Sequence, residues 1–168
     1  RHAGGGYAFV PYSEAARSVM VHPGGGIEGL EDLRGKVIGV AGSPVDKSWL
    51  LLRAYSFETI GEDLGKITRP AYAAPPLLNE KFRQGELDAV LNYWNYTARL
   101  RAAGMIELIK VQDLLPALGV PGRLPLIGYV FREACAEENP EAVRAFFEAS
   151  SAAREIMMQS DEEWERLR

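Results

Sequence analysis

The residues best placed to do chemistry are small, amide-bearing or aromatic. Ser43-Pro44-Val45-Asp46-Lys47 reads as a helix start, with Ser43 as N-cap, Pro44 at the first helical position and Asp46 three residues after the cap. A helix N-terminus offers N–H groups to an anion, and Lys47 could add charge. The alternative is that Ser43 only caps and Lys47 is solvated. Gly42 is a plain turn residue or one that admits backbone close to a ligand. Tyr93-Trp94-Asn95-Tyr96, just after Asn92, could wall a planar or apolar ligand or pack under the next helix. Tyr12-Ser13 could cap a cleft. Trp49 reads as core.

Catalytic groups are sparse. The two histidines are His2 and His22, and the one cysteine is Cys135. Cys135 lies between Glu133 and Glu137 with no histidine nearby and reads as a structural or incidental thiol. One cysteine excludes an internal disulfide and a cysteine-built zinc site. Gly24–Gly26 does not join a strand to a helix with the spacing of a phosphate or dinucleotide loop. The acidic run Asp161–Glu165 compensates a helix dipole. No catalytic residue, metal ligand or cofactor is expected.

The elements that position these residues follow from periodicity. Ala15–Val21 reads as a strand interrupted by Arg17 and Ser18. Leu30–Leu33 is a helical turn stopped at Gly35. Val37–Ala41 is a continuous apolar run, the mark of a strand buried on both faces. A helix with Trp49, Leu52 and Tyr55, broadened by Leu50, Ala54 and Phe57, runs to Ile60. A strand over Ile67–Ala73, weakened by Pro70, leads to a helix opened by Pro75-Pro76 and ended by Gly85. Strand Asp88–Asn92, helix Asn95–Ala103 and strand Ile106–Val111 follow. A loop through Pro116, Pro121, Gly122 and Pro125 leads to strand Leu126–Phe131. Asn139-Pro140-Glu141 starts a long helix, and Ser160–Glu163 is a capping box for another.

This alternation predicts an α/β fold with a doubly wound, mostly parallel sheet over roughly residues 35–112. In such sheets ligands bind outside the carboxyl ends of the strands. That edge would join Ala41-Gly42-Ser43, Tyr72–Pro75 (with Ala74) and Asn92–Asn95. Its residue types suit holding a small molecule better than breaking bonds in it.

The chain has 168 residues, 47% hydrophobic and 25% charged, which excludes disorder as its main state. The net charge of −4 gives no electrostatic footprint for nucleic acid. No window approaches the ~18 apolar residues of a membrane-spanning helix.

Several strings resemble a known family. Gly29–Val40, containing Asp32-Leu33-Arg34-Gly35-Lys36, is similar to periplasmic solute-binding proteins of the nitrate/sulfonate/taurine-type branch, which includes pyrimidine-precursor binders related to thiamine synthesis. Ala41–Arg53, Ala74–Glu80, Gly85–Trp94 and Pro125–Arg132 extend the resemblance, which covers Tyr12 to Arg168. It implies a type 2 periplasmic fold: two lobes that bind a solute between them, without catalysis, for an ABC importer and its membrane permease. Residues 1–34 would end lobe one and supply a hinge strand. Residues 35–125 would be lobe two. Residues 126–168 would return a hinge strand and helices to lobe one, with Ala15–Val21 and Leu126–Phe131 as the hinge pair. The implied site matches Ser43–Asp46 and Asn92–Trp94. Family members run to about twice this length. The chain is therefore expected to lack the first half of lobe one and its signal sequence, with the exposed lobe-one surface covered by missing chain or a second copy. The same fold serves two further functions: the ligand-sensing domain of a regulator, and a thiamine-pyrimidine synthase that uses histidine, cysteine and iron.

Overall fold

The computed structural model describes residues 6–14, 17–120, 124–125 and 127–167. The expectations that fall on His2, Ala15, Ala16, Pro121, Gly122 and Leu126 lie outside these residues. The chain divides into two compact units, one of Tyr12–Ile127 and one of Arg1–Pro11 with Gly128–Arg168.

The larger unit is built on a five-stranded sheet. Its strands are β2 (Ser18–Val21), β3 (Val37–Ala41), β4 (Arg69–Ala73), β5 (Ala89–Asn92) and β6 (Ile106–Lys110), in the order β4-β3-β5-β2-β6. β3 runs parallel to β4 and β5, whereas β2 is antiparallel to both β5 and β6. The sheet is thus mostly parallel, as predicted. Pro70 is tolerated because β4 is an edge strand.

Side chains alternate between the two faces. Val19, Val21, Ile38, Val40, Ala89 and Leu91 join one core with Trp49 and Leu52 of α1 (Lys47–Ile60) and Leu64 of α2 (Leu64–Ile67). Met20, Ala41 and Val90 join a second core with Leu78 and Phe82 of α3 (Pro75–Arg83) and Leu100 of α4 (Trp94–Ala102). Helices therefore cover both faces, which is what continuous apolar strand runs require. Leu50 and Phe57 of α1 remain exposed, so its apolar face is narrower than predicted. Trp49 is fully buried.

One expectation is corrected. Ser18–Val21 is not paired with the Leu126–Phe131 segment. It is buried along its whole length and lies between β5 and β6. The partner of β7 (Ile127–Arg132) is instead β1 (Tyr7–Ser13), which the glycine-rich start of the chain concealed. Tyr12 and Ser13 accordingly close a strand rather than precede one.

Two local devices hold the sheet's helices in place. Asp63 caps α2 by accepting from Gly65 N, and Arg53 of α1 donates to both its oxygens at 2.7 Å. The Arg53 guanidinium holds the Asp63 carboxyl down at about 2, helped by the Gly65 N–H and opposed by burial. A depressed carboxyl stabilises the fold above its unfolded value near 4 and loses that contribution as pH falls toward 2. Asp63→Asn keeps a capping oxygen but removes the charge. It is expected to cost about 1–2 kcal/mol at pH 7, with the gap to the parent narrowing between pH 4 and 2 in parallel thermal melts. A gap independent of pH would dismiss the ion pair as its source.

Gly39 lets α3 approach β3. A Cβ there would lie 2.7 Å from Leu87 Cδ1, 3.1 Å from Leu78 Cδ2 and 3.3 Å from Val90 Cγ2. Gly39→Ala is therefore expected to destabilise by about 1–3 kcal/mol in urea denaturation, through overpacking.

The smaller unit contains β1 up to Pro11, β7 from Gly128, α5 (Glu133–Glu138), α6 (Pro140–Gln159) and α7 (Asp161–Arg166). α6 begins at Asn139-Pro140 as predicted, and Ser160 Oγ accepts from Glu163 N at 3.3 Å to cap α7. Tyr129 meets Phe146 edge-on at 4.8 Å and bonds Ser150 Oγ at 2.6 Å. None of its described residues is fully buried, and Val130 and Phe146 are more than half exposed.

Candidate functional site

β3, β4, β5 and β6 end on the same edge of the sheet, and antiparallel β2 begins there, with Ser18 opposite both Asn92 and Lys110. The edge therefore collects Gly42, Ala74, Asn92 and Tyr93, as predicted from strand direction, and adds Arg17, which sequence reasoning passes over.

Arg17 organises this edge. Its side chain is only 8% exposed. Nη1 donates to Ala41 O at the end of β3, and Nη2 pairs with Asp46 Oδ2 at 2.9 Å. The guanidinium also lies 3.8 Å from the centroid of the Tyr93 ring, a cation–π contact. One buried cation thus ties together the ends of β3 and β5 and the start of α1. The signal in the sequence is a charged residue at the mouth of a short, fully buried strand, Ser18–Val21. By periodicity alone it is only an interruption.

The start of α1 differs from expectation. The N-cap is Asp46, not Ser43, and its Oδ1 accepts from Ser48 N at 3.0 Å and Trp49 N at 3.1 Å. Those two N–H groups are consequently occupied, which corrects the picture of an open anion seat at this terminus. Ser43 instead begins a turn closed by Asp46 N donating to Ser43 O at 3.0 Å. Ser43 and Lys47 are both exposed. Gly42 takes φ 108°, open to glycine and strained for other residues, while its N–H donates to Ala73 O at 3.1 Å.

Asn92 is fully buried. Its Nδ2 donates to Pro75 O at 3.0 Å and to Asn79 Oδ1 at 2.9 Å, and its Oδ1 accepts from Tyr93 N at 2.9 Å. The amide joins the starts of α3 and α4 to the end of β5. Ala74, the N-cap residue of α3, is exposed beside it. Tyr93 and Trp94 are 40% and 55% exposed, whereas Tyr96 is half-buried with Arg99 over its ring. Of the remaining candidates, Tyr12 and Ser13 stand at the end of β1.

A concavity of about 290 Å³ opens on this edge beside Trp94, with Ser18, Gln112 and Asp113 in its wall. His22 lies at the opposite end of β2, stacked 4.1 Å from Phe82. Cys135 belongs to α5 of the smaller unit and is exposed. Among the described residues no group of three or more histidine, cysteine, aspartate or glutamate side chains is arranged to hold a metal ion.

Comparison with known proteins places the chain. No curated protein matches it. Solved structures do: the periplasmic aliphatic sulphonate binding protein SsuA from Escherichia coli has a TM-score of 0.72 at 23% identity, over 95% of this chain and 52% of that one. The alkanesulfonate-binding protein SsuA from Xanthomonas axonopodis pv. citri, bound to MOPS, has a TM-score of 0.60 at 18% identity, over 83% and 45%. An ancestral arginine-binding protein bound to glutamine has 0.55 at 17%, over 86% and 58%. The chain spans about half the length of the solved structures it matches, and at these identities the likeness establishes the periplasmic-binding-protein fold. The sequence model described as NMT1/THI5 like matches residues 11–164, nearly the whole chain, and the chain belongs to that family.

Proposed function

We propose that this chain is part of a non-catalytic solute-binding protein that captures a small organic anion, of the sulfonate or carboxylate class, for an ABC importer. The observation that carries this reading is the Arg17 clamp. It sets an exposed aromatic, Tyr93, and the turn Gly42–Lys47 on one edge, in a fixed arrangement that needs no reacting group. Ser43 adds an exposed hydroxyl on the same turn as the exposed Lys47. Ser43, Asp46, Lys47, Gly42, Ala74, Tyr93 and Trp94 are the proposed ligand-side residues. Asn92 positions them, and Tyr12 and Ser13 are proposed to border the same surface. The sulfonate-binding proteins of similar fold support this solute class, the permease partner and a periplasmic location.

The exposed apolar face around Val130 and Phe146 is proposed to be covered by further chain or by a second copy. An enzyme of the thiamine-pyrimidine kind is disfavoured by position: His22 sits at the far end of the sheet from the proposed site.

The test is titration of the full-length protein against alkanesulfonates, short carboxylates, nitrate, aminopyrimidines and amino acids, read by tryptophan fluorescence. Saturable binding of an organic anion without turnover supports the reading. Silence toward every organic anion, or turnover of a pyrimidine precursor, overturns it.

A further inference from the structure

The groove between α3 and α4 has a charge and a lining unlike the solute edge, and we propose that it docks an acidic segment of a protein partner. Both helices pack on the same core face of the sheet, and a cavity of about 480 Å³ opens between them. Its buried lining is Leu100 and Asn79. The Asn79 amide is already committed, since Nδ2 donates to Tyr96 O at 3.2 Å and Oδ1 accepts from Asn92. Asn79 therefore braces the groove, and recognition falls to its exposed walls. The small side chains of Ala102 and Ala103 leave the end of the groove open.

Charge decides which partner fits. The lining holds two guanidiniums, Arg83 and Arg99, and one carboxylate, Glu80. Glu80 lies 3.8 Å from Arg83 and also accepts from Gln84 Nε2 at 2.7 Å. An exposed pair at that distance neutralises little. Arg99 is exposed, lies 5.8 Å from the centroid of the Tyr96 ring and has no ion pair among the described residues. Basic residues in a last helical turn answer the helix dipole, and α3 and α4 each carry two. Lys81 and Arg101 are paired with Glu86 and Glu107. The other two, Arg83 and Arg99, line the groove with their charge largely uncompensated. Arginine and tyrosine beside a buried floor form the composition that carries binding energy between proteins. The planar guanidinium fork suits a carboxylate in particular.

The experiment is a fluorescence-anisotropy titration of the full-length protein, without solute. The probes are a labelled octapeptide of alternating Asp and Glu, its Asn and Gln counterpart, and inorganic tripolyphosphate as competitor. The acidic peptide should bind at least about tenfold more tightly than the amide peptide at low salt, and lose most of that advantage at about 0.5 M NaCl. Arg83→Gln and Arg99→Gln should each weaken it by about fivefold and together abolish the preference. Lys81→Gln changes the net charge equally from outside the groove, and should weaken it by less than about twofold. Equal losses in Lys81→Gln and the groove variants would show a diffuse field and overturn the proposal. Equal binding of both peptides overturns it, as does a preference that survives the double substitution. Displacement by tripolyphosphate at a lower concentration than by unlabelled acidic peptide also overturns it, in favour of a phosphate site. Both groove substitutions are surface changes away from the carboxyl edge. Solute binding by the double variant should therefore match the parent, which separates this docking surface from the anion-binding reading.

Discussion

Arg17→Met should lower the stability of the fold by about 3 kcal/mol and abolish high-affinity solute binding together. The guanidinium is nearly buried and is bonded to Asp46 and to Ala41 O. Removing one partner of a buried pair typically costs ~3–5 kcal/mol, because the other charge is left without compensation. Here Asp46 is 12% exposed and keeps two backbone donors, which places the cost at the lower end. The loss also frees Tyr93 from the cation beneath it, so the ring no longer has one defined position on the edge.

Two further variants isolate the cause. Arg17→Lys keeps the charge but not the planar fork, so it should recover only part of the stability and little of the affinity. In the double variant Arg17→Met/Asp46→Asn, the second substitution removes the stranded charge while asparagine still caps α1, so the combined loss should be smaller than the sum by at least ~1 kcal/mol. Chemical denaturation of the parent, these three variants and the single variant Asp46→Asn closes the cycle. An Arg17→Met cost below about 0.5 kcal/mol, or strict additivity in the cycle, would show that water replaces the pair at no penalty.

The fold was legible where burial imposes a pattern. Val37–Ala41 and Ala89–Leu91 are apolar because helices cover both faces of the sheet, and that is visible in a short run of residues. Gly35, Gly85 and Gly104 stop their segments with positive φ because no side chain favours that backbone, which is equally local. The carboxyl edge followed from strand direction alone. Where β2 inserts was not legible. Its apolar character specifies burial but not neighbours, and the antiparallel placement between β5 and β6 is a long-range choice.

The start of α1 shows the same limit at the scale of a few residues. Ser43 and Asp46 both satisfy the local rule for an N-cap, and Ser43 with an acid three residues later resembles a complete capping box. The competition is decided by Arg17, far away in sequence, which holds Asp46 Oδ2 while Oδ1 takes the helix N–H groups. A residue whose role is to join three segments has no periodicity of its own. Arg17 was therefore invisible as a site residue, although every segment it joins was identified.

Asn92 makes the same kind of connection with a neutral group, and its substitution separates positioning from ligand contact. Asn92→Ala should destabilise by about 3 kcal/mol even with no solute present. It strands the Pro75 carbonyl, Asn79 Oδ1 and Tyr93 N–H at a fully buried position, and an unmet buried group typically costs ~1–3 kcal/mol. Asn92→Asp should behave differently with pH. The carboxylate still accepts from Tyr93 N but donates nothing, and it faces Asn79 Oδ1. Rotating the Asn79 amide to relieve this would forfeit its bond to Tyr96 O, which is 3.2 Å long. Burial and the facing oxygens therefore favour the protonated acid, raising its pKa above the unfolded value near 4. A raised folded pKa stabilises below the unfolded value and loses that benefit as pH climbs through the folded one. Asn92→Asp should accordingly lie closest to the parent at pH 4–5 and fall behind it toward pH 8 in matched urea titrations. A flat difference across that range would mean the side chain has escaped to solvent, and the amide would then not be the brace that holds Tyr93 and Trp94 on the edge.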